Sequence, residues 1–146
     1  MIQGDTIKLL RECDAGIKMG VTSIDEVLFK VDNQNMQKDL KKAMDEHERL
    51  GEKATSLLHQ YQDEGKDPSP MAKSMSWVKS NVMMAMDQGG HEQTVAELIT
   101  DGCNMGIKSL SSYLNEYKAA DEQSKDIAKK LITIEEHLAD NMRGYL

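Results

Sequence analysis

Four of this chain's six cysteine and histidine side chains could together supply a metal site: Cys13, His47, Cys103 and His137. Thiolate sulfur and imidazole nitrogen are the donors of tetrahedral zinc sites, so a Cys2His2 set drawn from four separate segments is one chemistry on offer. Acids stand beside them. Asp14 follows Cys13, Glu46 precedes His47 and Glu136 precedes His137, and such carboxylates suit harder ions, iron among them. No short Cys-x-x-Cys spacing supports the thiols, and a packing reading stands next to the metal one. Cys13 with Gly16 and Gly20, and Cys103 with Gly102 and Gly106, are small residues of the sort found where helix backbones approach, and a buried free cysteine packs as a small hydrophobe. On that reading His47 and His137 sit at a core edge. Glu135 and Glu136 are consecutive, so on a helix they diverge and cannot form one acid/base dyad; both are expected in solvent.

The elements that would position these groups follow from apolar spacing. Apolar or small residues at Ile7, Leu10, Cys13, Ile17, Gly20, Ile24, Val27 and Val31 recur at steps of three and four, which predicts a helix over about 5–31. Asp32, Asn33, Gln34 and Asn35 interrupt it as turn and capping residues do, and Met36, Leu40, Met44, His47, Leu50, Ala54, Leu57 and Tyr61 predict a second helix over about 36–62. The stretch 63–70, with both prolines and a glycine, is the strongest punctuation. A short helix over about 71–86 carries Trp77 and the methionines Met71, Met75, Met83, Met84 and Met86. Soft thioethers invite copper, but helical spacing fits core filling or a partner face better. Two further helices are predicted over about 91–118, expected to be the most buried, and from about 121 to the C-terminus.

A shift of 90 residues lays Cys13, Gly16, Ile17 and Lys18 on Cys103, Gly106, Ile107 and Lys108, and His47 on His137, without a gap. Two antiparallel hairpins, about 5–62 and 91–146, therefore read as copies of one unit, joined by a crossover over about 63–90. At ~1.5 Å per residue the short helix spans ~25 Å, enough to carry the chain back along a bundle. A five-helix up-and-down bundle, with that helix as a full member, is the alternative.

Composition sets the outer limits. The chain has 146 residues, 4% aromatic, with two prolines and eleven methionines, which excludes a β-sandwich and favours one all-α domain over 1–146. A net charge of −7 argues against a nucleic acid partner or an anionic membrane. The apolar runs are too short for a membrane span, and charges within the first dozen residues do not suit a secretory signal, so a cytoplasmic protein with reduced cysteines is expected. The leftover methionine stripe predicts self-association as a homodimer, or an unidentified protein partner.

The paired Cys13-x-x-Gly16 and Cys103-x-x-Gly106 stretches, Trp77 after the Pro68 and Pro70 loop, and His137 near the end give the chain a resemblance. It resembles the ferritin-like superfamily that includes rubrerythrins, and within it a bacterial branch to which no activity is assigned. The resemblance implies a four-helix bundle with a crossover. Ferritin-like proteins hold two iron or manganese ions with a glutamate from each hairpin's first helix and a Glu-x-x-His pair from each second helix. Here the positions three residues before His47 and His137 hold Met44 and Ile134, and Lys18 and Lys108 near the same level would oppose a cation. The expectation is a non-enzymatic structural or partner-binding bundle without a complete di-iron site. The alternative is an iron- or zinc-binding storage or redox protein using His47 and His137 with Cys13, Cys103, Asp14, Glu46 or Glu136.

Overall fold

The computed structural model describes residues 2–66 and 91–146. The short helix expected over 71–86, with Trp77 and the methionine stripe, lies outside the described residues. Among those described, four helices carry the fold: α1 (Ile2–Leu28), α2 (Gln34–Gln60), α3 (Glu92–Glu116) and α4 (Glu122–Met142), with a 3-10 turn at Arg143–Tyr145. The architecture is all-helical, and no helix is long and apolar enough to cross a membrane among the described residues.

Helix ends are set by side chains. Asn33 caps α2, its Oδ1 accepting from the Met36 N–H at 3.0 Å, and Asp121 caps α4, its Oδ1 accepting from the Ser124 N–H at 2.8 Å. The apolar pattern runs to Val31, yet α1 ends at Leu28. The N–H groups of Lys30 and Val31 donate three residues back, to Val27 and Leu28, a tighter turn that still buries Val31. Similarly, α4 stops at Met142 rather than continuing through Tyr145. Helix α3 is not the most buried element; its wide apolar arc is divided between the core and a cavity, and Met105 stays 42% exposed.

The core has two clusters, one at each end of the bundle. The first joins Ile24 and Val27 of α1, Met36 and Leu40 of α2, Val95 and Ile99 of α3, and Leu138 and Met142 of α4. The second joins Leu9 and Leu10, Leu50 and Leu58, Leu110, and Ile127 and Leu131. The end of α1, the starts of α2 and α3, and the end of α4 therefore share one end of the bundle. Within each hairpin the helices are antiparallel, while α2 and α3 run in the same direction. Helix α1 packs on α2, α3 and α4, and α4 also packs on α3 and α2.

Each hairpin grips the turn of the other. The Glu92 carboxylate, in the first turn of α3, accepts from the N–H groups of Asp32 and Asn33 at 2.9 and 3.0 Å. At the opposite end Asp5 accepts from the Ala119 N–H at 3.0 Å, and the buried Thr6 hydroxyl oxygen accepts from the Asp121 N–H at 2.8 Å.

Candidate functional site

His47 lies at the middle of α2 and points into the bundle with 1% of its surface exposed. Its Nδ1 is 2.7 Å from the Ala43 carbonyl oxygen. A carbonyl only accepts, so Nδ1 carries a hydrogen and Nε2 is the free end of the ring. That Nε2 faces the Glu135 Oε1 of α4 at 3.8 Å, within ion-pair reach but beyond a hydrogen bond. Glu135 is 7% exposed, and both the His47 Nε2 and the Glu135 Oε2 are buried without a hydrogen-bond partner among the described residues. Burial pushes the Glu135 carboxyl above its ordinary range, an effect that the neighbouring imidazole partly offsets.

Two glycines make room for this pair. A methyl group at Gly20 of α1 would stand 2.7 Å from the His47 ring, and one at Gly106 of α3 would fall inside contact distance of the Glu135 carboxylate. The first helices thus lie directly against the polar groups of the second. Between α1 and α3, above the pair, is a cavity of about 190 Å³. Met19, Ile24, Leu98 and Leu138 are among its apolar walls, His47 and Glu135 both line it, and Glu12, Lys66 and Tyr113 stand along it.

The segment leaving α2 supplies Lys66. Gly65 has a φ of +91°, a left-handed conformation that suits glycine, and its N–H donates to Asp63 Oδ1 at 2.8 Å. The next N–H, of Lys66, donates to Asp14 Oδ2 at 3.0 Å, and the Lys66 ammonium pairs with Glu12. Tyr113 is held above the usual phenol range, by burial first and then by Glu12.

Of the candidate ligands singled out from the sequence, His47 and Cys103 line the cavity, and the others stand apart from it. His137 and Glu136 are exposed, Glu46 is half-buried, and Glu135, expected in solvent, is the buried partner of His47. Asp14 is 4% exposed, but it anchors the 63–66 turn and pairs with Lys18 at 2.8 Å. Cys13 packs in one core cluster and Cys103 in the other, because the hairpins are inverted and positions away from mid-helix separate. Burial, reinforced by neighbouring carboxylates, pushes both thiols up to about 12, so they stay protonated. Among the described residues no group of three or more His, Cys, Asp or Glu is placed to hold a metal ion.

The signal that finds Glu135 lies in the caps. His47 stands fourteen residues after Asn33, and Glu135 fourteen after Asp121. From those caps the buried positions 36, 40, 43, 47, 50 and 54 of α2 coincide with 124, 128, 131, 135, 138 and 142 of α4. The second helices therefore correspond at a shift of 88, not 90. Two residues turn a helix by about 200°, which sends His137 to solvent.

Compared with protein-family models, with curated proteins and with solved structures, the chain matches none, and its function has to be argued from this site.

Proposed function

We propose that this protein is a non-enzymatic helical bundle that binds a small molecule in the cavity between its two hairpins. The observation that carries the reading is the His47–Glu135 pair: two polar side chains, almost wholly buried, with unpartnered atoms, lining an interhelical space. Leaving such atoms without partners costs about 1–3 kcal/mol each, and a ligand that supplies them recovers that cost. Pockets with apolar walls and a few convergent polar groups are the usual form of small-molecule sites, and bundles place them between facing helices. A volume near 190 Å³ belongs to the class of cavity that takes a benzene-sized ring.

The ferritin-like relation belongs to the same proposal. It is supported by the parallel course of α2 and α3, which requires a long connection between the hairpins. Against a working di-metal centre stand Met44 and Ile134 at the family's glutamate positions and the solvent-facing His137.

Ligand-detected NMR on the full-length protein tests the reading, using ring-sized neutral, cationic and anionic compounds. Saturable binding is expected, and Gly102→Leu, which grows a side chain from the cavity wall into open space, should abolish it. Absence of binding across the panel, or binding indifferent to the filled cavity, removes the proposal. Stoichiometric iron or zinc in tag-free protein, lost on His47→Ala, would replace it with the metal-binding alternative.

A further inference from the structure

The cavity has an electrostatic character that narrows its ligand. With Nδ1 committed as a donor to Ala43, a neutral His47 offers only the Nε2 lone pair, and an ionised Glu135 offers only acceptors. In that state the floor presents acceptors and no donor. With one proton added between the two residues the pair is neutral, as imidazolium with carboxylate or as imidazole with carboxylic acid. The floor therefore exists in a proton-filled form and an acceptor-only form.

An acceptor-only floor under apolar walls matches one head group: an ammonium, which carries three donors and the charge that Glu135 lacks a partner for. We propose that the cavity binds a compact primary ammonium compound with a tail about the size of one ring, and that the ammonium takes the place of the proton held by His47 and Glu135. The proposal rests on the cavity being a binding site and specifies its ligand. An anion would face the Glu135 carboxylate with at most one N–H to receive it. A neutral alcohol can satisfy one acceptor and leaves the charge uncompensated.

The other groups around the cavity do not oppose a cation. On α1, Glu12 carries negative charge, and the one cationic side chain lining the space among the described residues, Lys66, is already paired with it. On α3, Cys103 and Tyr113 are both held in their neutral forms, the thiol up to about 12 and the phenol above its ordinary range. Ser23 and Ser109 are uncharged. The net charge of −7 adds a field that draws cations toward the protein.

Binding is written as a balanced exchange: ammonium plus the proton-filled pair gives the ammonium complex plus one proton. Calorimetric titration of the full-length protein with three isosteres, benzylammonium, benzyl alcohol and benzoate, tests this in two buffers of different ionisation heat. Benzylammonium should bind about tenfold or more tightly than benzyl alcohol, with benzoate weakest, as charge-assisted hydrogen bonds require. Below the pH at which the pair fills, about one proton should be released per ammonium bound, and affinity should fall about tenfold per pH unit. Glu135→Gln should remove the preference for benzylammonium over benzyl alcohol, a loss of discrimination that a folding defect, which weakens both ligands alike, would not produce. If benzyl alcohol or benzoate binds as well as benzylammonium, the cavity is a binding site but the ammonium proposal is overturned. If none of the three binds, both fall.

Discussion

At the scale of single residues, the position of a proton decides most of the chemistry. Glu135 binds its proton more tightly in the folded chain than in the unfolded one. Its contribution to stability is therefore complete below the ordinary carboxyl value and lost as pH rises through the raised one. Urea denaturation of wild type and Glu135→Gln across that window should show the difference moving in the variant's favour as pH rises; a pH-independent difference would mean that the carboxyl is not perturbed. The thiols give a second prediction. Cys13 and Cys103 are buried and protonated, so a disulfide-exchange reagent should modify native protein many times more slowly than unfolded protein. Rapid reaction of either thiol in the native state would contradict their burial. Chemistry at this scale was the least legible in the sequence. The histidine that matters stood out, but its partner looked like one of many surface glutamates, since burial of Glu135 depends on a helix phase that the 90-residue match misplaced by two residues.

At the scale of elements, glycine is used for close approach. Gly20 lies on the His47 ring, which its bond to Ala43 holds in place, so Gly20→Ala should be destabilising. Overpacking costs about 1–3 kcal/mol against a helix-propensity gain of about 0.5–1 kcal/mol. A methyl group at Gly102 meets nothing within 4 Å among the described residues, and Gly102→Ala should stabilise by about 0.5–1 kcal/mol. Opposite Tm shifts are the check; equal shifts would deny the contact between α1 and His47. The helices themselves were legible, because apolar steps of three and four and the capping residues Asn33 and Asp121 are local signals. The end of α1 was less so. Val31 keeps the apolar rhythm while its backbone has already turned, and only tertiary burial distinguishes the two.

For the whole molecule, the hairpins are coupled by reciprocal grips at both ends. Thr6→Val would leave the Asp121 N–H without its acceptor and should cost about 1–3 kcal/mol in chemical denaturation, although it changes no charge. The Glu92 grip has the opposite pH sense to Glu135. Its carboxyl is held below the ordinary range by its own backbone N–H and by that of Asn33, so the loss of Tm in Glu92→Gln should be complete above the ordinary carboxyl value and fade as pH falls through the lowered one. Such grips join residues more than fifty positions apart, and no short-range pattern announces them.

His47 and Glu135 stand at equivalent positions, fourteen residues beyond their caps, in two hairpins that pack inverted against each other. Were the two hairpins identical chains related by a twofold axis, that axis would set imidazole against imidazole, or carboxylate against carboxylate. Two like acids at close range cannot both ionise, and two imidazoles cannot hold a proton in a charge-neutral pair. Covalent linkage of unlike halves breaks that symmetry where His47 meets Glu135. An acid opposite a base at these equivalent positions is thus something a homodimer of either hairpin alone could not build.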